Sequence, residues 1–145
     1  MIITPVKYHV LGLTPREQLA MRFLLKNAYV GWVDKVISEA QSFNTAEREE
    51  KSSYTLKLFD RYNEIVQLLT TKEKYLKAKG VCLLLGSEGM KFVEIATKAF
   101  DAKNSYLTTK EVEMIKDSYD EIAEKIKVVV NYTYTKDEIE KAQRE

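Results

Sequence analysis

Threonine capping motifs and apolar residues at helical intervals divide most of the chain into helices. Thr14-Pro15-Arg16-Glu17 combines a capping threonine, a proline at the first helical position and a glutamate at capping-box spacing. The wide apolar face that follows predicts that helix one begins after Thr14 and runs to about Ser42. Asn44-Thr45 supplies a second cap, and a second helix is expected from there. Its periodic apolar positions are Tyr54, Leu58, Ile65 and Leu69.

Two further helices are expected in the middle of the chain. Thr70-Thr71-Lys72-Glu73 has capping-box spacing, which predicts a third helix that ends at Gly86-Ser87-Glu88-Gly89, where two glycines oppose its continuation. This helix would include the apolar run of residues 81–85, and Cys82 within it is expected to be a small buried hydrophobe. From Glu88 the apolar spacing predicts a fourth helix that ends before Asn104-Ser105.

The last third of the chain carries the strongest periodicity. Thr108-Thr109-Lys110-Glu111 is a capping box, and the apolar positions after it follow the alternating spacing of three and four that is typical of a seam between helices. These positions are Val112, Ile115, Tyr119, Ile122, Ile126 and Val129. Residues 128–134 are rich in β-branched and aromatic side chains, and residues 6–11 have a similar character. The two segments are therefore expected to pair as a short ribbon.

The predicted fold class is therefore all-α: an antiparallel bundle of about four to five helices with short β-like segments at the ends. The length predicts one domain over residues 1–145. Within it, residues 1–13 are expected to form an extended N-terminal segment. Residues 135–145 begin with another capping box, at Thr135, and are expected to form a short or fraying C-terminal helix.

Composition excludes several classes of function. The net charge is +1, no apolar run approaches the length of a membrane span, and no secretory signal is visible, so we expect neither membrane insertion nor secretion. His9 is the only histidine and Cys82 the only cysteine, which excludes a catalytic triad and a multi-histidine or multi-cysteine metal site. We expect no enzyme, no cofactor and no metal. Abundant Lys and Glu with few Asn and Gln favour a heat-adapted source.

Charge is unevenly distributed along the chain. Lysines dominate the short segment of residues 72–79, which could form a face that contacts phosphates or simply a solvated face. Residues 109–145 hold seven basic and ten acidic side chains and are therefore acidic. Carboxylates four residues apart, such as Glu113 and Asp117, could hold a hard cation, but such pairs more often lie in solvent. Tyr132 and Tyr134 are amphipathic groups of the kind enriched at interfaces. The candidate partner-binding residues are Lys72, Lys74, Lys77, Lys79, Tyr132 and Tyr134.

In size, helix pattern and Lys, Glu, Tyr and Ile usage, the chain resembles small helical proteins of viruses that infect hyperthermophilic archaea. Among these it is similar to the RNA-polymerase inhibitor of a two-tailed virus and its virion structural relative. The resemblance implies a viral regulator in the host cytoplasm that binds host RNA polymerase in its DNA-binding channel and represses transcription. Two alternatives stay open. One is a structural protein of a virion or oligomer that assembles through helix 109–130, and the other is a nucleic-acid-binding module that uses the Lys72–Lys79 face.

Overall fold

The computed structural model describes residues 6–71 and 80–144, which fold into five α-helices and three short strands. The elements in chain order are β1 (Lys7–Leu13), α1 (Pro15–Glu39), a 3-10 turn (Ala40–Ser42), α2 (Thr45–Thr71), β2 (Val81–Leu85), α3 (Ser87–Lys98), α4 (Thr109–Val129), β3 (Tyr134–Thr135) and α5 (Lys136–Arg144). The protein is mostly α, as predicted. The all-α class is corrected, because the strands form a three-stranded antiparallel sheet.

Capping motifs set the predicted helix starts. Thr14 and Thr108 each accept the backbone N–H of the glutamate three residues on, and that glutamate accepts the threonine's own N–H, so both capping boxes are complete. Asn44 accepts the N–H of Glu47 before α2, and Thr135 accepts the N–H of Glu138 before α5. The predicted end of helix one near Ser42 is also confirmed, because the 3-10 turn extends α1 to that residue.

The sheet has the order β2-β1-β3, with β1 at its centre. Tyr8 is paired with Tyr134, which confirms that the two ends of the chain form a ribbon. The ribbon is shorter than predicted, because Val128 and Val129 belong to α4. The helical seam extends to Val129, which packs against the core, and this packing keeps the β-branched residues helical.

The expectation of a helix through residues 81–85 is wrong, because Val81–Leu85 is a strand that pairs antiparallel with β1. Alternate residues face opposite sides of this strand, so Leu83 and Leu85 are buried while Cys82 and Leu84 are exposed. The expectation that Cys82 is buried is wrong for the same reason. α2 extends through Thr70 and ends at Thr71, and the predicted third helix over residues 72–79 lies outside the described residues.

The core lies between the inner face of the sheet and the helices. Leu11 and Leu13 of β1, with Leu83 and Leu85 of β2, pack against apolar residues of α1 to α4. The predicted seam of α4 is confirmed as a core face. Val112, Ile115, Ile122 and Ile126 are buried, and Tyr119 and Val129 are half-buried. An oligomer formed through helix 109–130 would therefore have to use the exposed side of α4.

Candidate functional site

The exposed side of α4 carries a row of carboxylates opposite its buried seam. At 3.6 residues per turn, these positions fall within roughly 100° of one another around the helix. They occupy a length of ~16 Å along the helix axis at 1.5 Å per residue. We call this row the acidic stripe; its members are Glu113, Asp117, Asp120, Glu121 and Glu124, and all are exposed.

The acidic stripe is not neutralised by ion pairs within the described part of the chain. None of its carboxylates lies within 4.0 Å of a lysine or arginine nitrogen there. Lys110, Lys116 and Lys127 of α4 are exposed on the same helix but form no ion pair with these carboxylates, whereas Lys125 contacts the junction of β1 and α1. Its Nζ donates to Glu17 Oε1 at 2.5 Å and to the Gly12 carbonyl at 3.1 Å. The stripe therefore presents unpaired negative charge to solvent.

Glu17 and Glu111 are the carboxylates whose titration the fold perturbs among the residues described. Burial raises the pKa of Glu17, but hydrogen bonds from Lys125 and Thr14 outweigh it, so the pKa lies below its ordinary value of 4.5. The backbone N–H of Thr108 and the Lys26 ammonium hold the pKa of Glu111 low against a smaller opposing effect of burial. Both carboxylates cap helices, so their perturbed titration has a structural cause.

A shallow depression adjoins the C-terminal part of the stripe. Asp120, Glu121 and Glu124 form its acidic side, Val128 forms part of its apolar side, and Lys125, whose ammonium contacts Glu17, also lines it. Val128 is half exposed although it belongs to the last turn of α4. This combination suits a long basic side chain, because a lysine or arginine can lay its aliphatic stem on valine while its charged end meets carboxylates.

Both tyrosines predicted as partner-binding residues lie at the surface, with Tyr132 59% and Tyr134 41% exposed. Tyr132 lies between α4 and β3. Tyr134 lies in β3, opposite Tyr8, and therefore on the same face of the sheet. That outer face continues through Val10 to Leu84, its partner on β2. The four predicted lysines, Lys72, Lys74, Lys77 and Lys79, lie outside the described residues.

His9 has a structural environment. It is buried in β1, and its Nδ1 donates a hydrogen bond to the carbonyl of Val129 at 3.2 Å. This bond ties the central strand to the end of α4. Across residues 6–71 and 80–144, no group of three or more histidine, cysteine, aspartate or glutamate side chains is arranged to hold a metal ion.

A cavity of about 590 Å³ between α1, α2 and α3 was not predicted. Its lining comes from positions distant in sequence, which helical periodicity cannot bring together in advance. The one local signal was Gly31, which interrupts the apolar face of helix one and lines the cavity. Aromatic and basic side chains dominate the rest of the lining, including Trp32, Tyr54, Tyr106, Lys35, Lys57 and Lys91.

Comparison with protein-family models, curated proteins and solved structures finds no match to this chain. Among the helices described, none combines the length and the apolar character that crossing a membrane requires.

Proposed function

We propose that the protein is a non-enzymatic viral regulator that binds host archaeal RNA polymerase in its DNA-binding channel and represses transcription. Two arguments support the proposal. The first is the resemblance in size, helix pattern and composition. The second, which is the structural observation that carries it, is the unpaired acidic stripe on α4.

The stripe has the same sign of charge as a DNA strand and a similar number of charges per length of axis. Cationic side chains of proteins that hold DNA contact phosphates, of which each strand carries one per about 3.4 Å of helix axis. The stripe offers about one carboxylate per 4 Å of helix axis, given the α-helical rise of ~1.5 Å per residue. A rigid helix with this charge density can therefore occupy cationic walls in place of a DNA strand and prevent the DNA from entering.

Exposed aromatic residues that follow α4 in the chain would add short-range contacts. Charge complementarity mainly accelerates and orients association, whereas buried aromatic anchors contribute most of the lasting affinity of many interfaces. Tyr132 and Tyr134 are exposed and lie three and five residues after the end of α4. We therefore expect the interface to extend from the stripe across the last turn of α4 to these two tyrosines.

The test is promoter-dependent transcription by purified archaeal RNA polymerase, with binding measured in parallel by co-purification. The parent protein is expected to bind the enzyme and suppress transcripts in a dose-dependent way. The triple variant Asp117→Lys, Asp120→Lys and Glu124→Lys is expected to lose at least about tenfold in affinity, equivalent to 1.4 kcal/mol.

The matched control reverses the same number of exposed carboxylates on α2, through Glu49→Lys, Glu50→Lys and Asp60→Lys. It changes the net charge by the same amount, so it separates the stripe from overall charge. The control should inhibit like the parent, and both variants should keep the helical circular dichroism signal. If the parent protein at saturation leaves transcription unaffected, the proposed function is wrong. Equal loss in both triple variants would instead reject the stripe as the contact surface.

A structural role in a virion or oligomer is the second candidate, and the outer face of the sheet favours it. Leu84 and Tyr134 are exposed on that face, and among the described strands β2 lies at an edge of the sheet. Exposed edge strands pair readily with strands of other molecules. Light scattering over a range of concentrations tests this role. A constant monomer mass would reject self-assembly, whereas concentration-dependent growth that Leu84→Lys abolishes would support it.

A further inference from the structure

The cavity between α1, α2 and α3 has an aromatic wall. Trp32 of α1 and Tyr54 of α2 meet edge to face, with ring centroids 4.8 Å apart, and Trp32 Nε1 donates to Thr55 at 2.9 Å. Phe92 and Ile95 of α3 contribute apolar lining across from them. The volume of about 590 Å³ falls within the range of roughly 300–1,000 Å³ that small-molecule sites occupy.

Tyr106, from the connection between α3 and α4, contributes to the lining and is held in place at two points. Its backbone N–H donates to Asn27 Oδ1 at 2.8 Å, and its hydroxyl donates to Asp34 Oδ2 at 2.9 Å. Gly31 permits this position, because a Cβ there would lie only 3.2 Å from Tyr106 Cε2. Tyr106 is therefore held in place before a ligand binds, so a ligand would not have to order this part of the wall.

Positive charge at the cavity comes from three helices. Lys35 of α1, Lys57 of α2 and Lys91 of α3 are exposed, and none has a carboxylate within 4.0 Å among the residues described. Arg61 is already paired, with Glu64 at 3.2 Å and Glu88 at 2.5 Å. Glu88 is the carboxylate in the lining and is occupied by this pair. The uncompensated charge is therefore three ammonium groups.

We propose that this cavity binds a nucleoside polyphosphate, or the equivalent terminal nucleotide of a single strand. Aromatic side chains stack on a base regardless of its identity, and ammonium groups bind phosphates as point charges. An apolar ligand would gain nothing from the charge of the three exposed lysines. A simple inorganic anion would leave the aromatic wall empty, and a single carboxylate would satisfy only one lysine. The site shares no residue with the acidic stripe, so the test of nucleotide binding is independent of the proposed function.

The single tryptophan of the chain makes the test direct, because Trp32 lies in the cavity wall. ATP should quench its fluorescence saturably, and calorimetry should give the same dissociation constant. Adenosine and inorganic triphosphate should each bind at least about tenfold more weakly than ATP, a loss of 1.4 kcal/mol or more. A short single-stranded oligonucleotide with a terminal phosphate forms the second arm. Tighter binding of ATP identifies a free nucleotide, and tighter binding of the oligonucleotide identifies a strand end.

Two variants test the two halves of the site by calorimetry. Lys35→Gln, Lys57→Gln and Lys91→Gln together should weaken ATP binding at least about tenfold, whereas the matched set Lys110→Gln, Lys116→Gln and Lys127→Gln, outside the cavity, should not. Tyr54→Ala removes an exposed part of the wall and should also weaken binding. The proposal is overturned if neither ATP nor the oligonucleotide binds. It is equally overturned if adenosine binds as well as ATP, or if the two lysine sets behave alike.

Discussion

At the scale of single residues, Glu17 links three parts of the molecule. It is only 4% exposed, and its Oε1 accepts from the backbone N–H of Thr14 at 2.8 Å and from Lys125 Nζ at 2.5 Å. Lys125 also donates to the carbonyl of Gly12. The Glu17 carboxylate therefore completes the cap of α1 and, through Lys125, also holds α4 against the junction of β1 and α1. The capping role was visible in the sequence, but the partner more than 100 positions away was not.

We expect Glu17→Gln to lower the free energy of unfolding by about 1–2 kcal/mol, because it removes a charge-assisted hydrogen bond to a partly exposed lysine. The folded-state pKa of Glu17 is lowered, so its contribution is complete above its ordinary pKa of 4.5 and is lost as the pH falls through the lowered value. Urea unfolding of the parent and the variant at a series of pH values measures this. The difference in unfolding free energy between the parent and Glu17→Gln should shrink as the pH falls below 4.5.

Glu111→Gln is the matched control, because Glu111 occupies the equivalent capping position of α4 and is more exposed than Glu17. Its cost is expected to be smaller, about 0.5–1 kcal/mol, as for a cap with an exposed partner. Equal losses at the two positions would show that the contact of Glu17 with Lys125 contributes no more than the more exposed contact of Glu111 with Lys26.

Cys82 provides a second prediction at this scale. The strand places it on the outer face of the sheet, where it is exposed opposite Gly12. A disulfide reagent should therefore label one equivalent in the native protein, at a rate within about tenfold of that in denaturant, because access does not require unfolding. Cys82→Ser provides the blank. If Cys82 reacts only when the whole protein unfolds, the outer face of the sheet is covered.

At the scale of elements, sequence patterns predicted the helices that carry their own start signals. The capping threonines and the seam of α4 are local features, so the starts of α1 and α4 could be predicted directly. Val81–Leu85 could not be assigned by periodicity, because a short apolar run suits a buried helix or a strand equally well. Pairing with β1 decides its structure, and that contact is distant in sequence. The overlooked local signal was the pair of flanking glycines, Gly80 and Gly86.

Gly80 permits the entry into β2, and its replacement provides a test. Its φ is +79°, and a Cβ would lie 2.0 Å from the carbonyl oxygen of Leu13. We expect Gly80→Ala to cost at least about 2 kcal/mol of unfolding free energy, because left-handed strain and a backbone clash combine.

Gly86→Ala is the control at the other end of the strand. Gly86 has a φ of −70°, and a Cβ added there would meet no atom within 4 Å, so only a modest cost of about 0.5–1 kcal/mol is expected for its role as the N-cap of α3. Equilibrium denaturation of both variants gives the comparison. A Gly80→Ala variant as stable as Gly86→Ala would contradict the path of the chain at this joint.

At the scale of the whole molecule, the two candidate binding surfaces differ in how far the sequence could indicate them. The acidic stripe lies on one helix, so its charge and spacing could be read from the sequence, although its lack of ion pairs could not. The cavity joins residues of α1, α2, α3 and the connection that follows α3. Only the packing of these elements brings Trp32, Tyr54 and Tyr106 together. Tertiary contacts therefore create the candidate site that periodicity alone could not predict.

The C-terminal region divides into a part that the core requires and a part that it does not. α5 buries no residue, and its main contact is with β3. By contrast, Val129 and Val130 pack against the core, and the Val129 carbonyl accepts the hydrogen bond from buried His9. A truncation intended to probe partner binding should therefore begin after Thr135 and leave these residues in place.

We expect a chain that ends at Thr135 to keep its unfolding free energy within about 1 kcal/mol of the parent, because α5 buries no residue. A chain that ends at Lys127 should lose at least about 2 kcal/mol, since it removes core packing and leaves a buried histidine donor without its acceptor. Urea unfolding followed by circular dichroism measures both. If the shorter deletion destabilises as much as the longer one, α5 supports the fold through contacts beyond β3. In that case, loss of polymerase binding on removal of α5 would not locate the interface there.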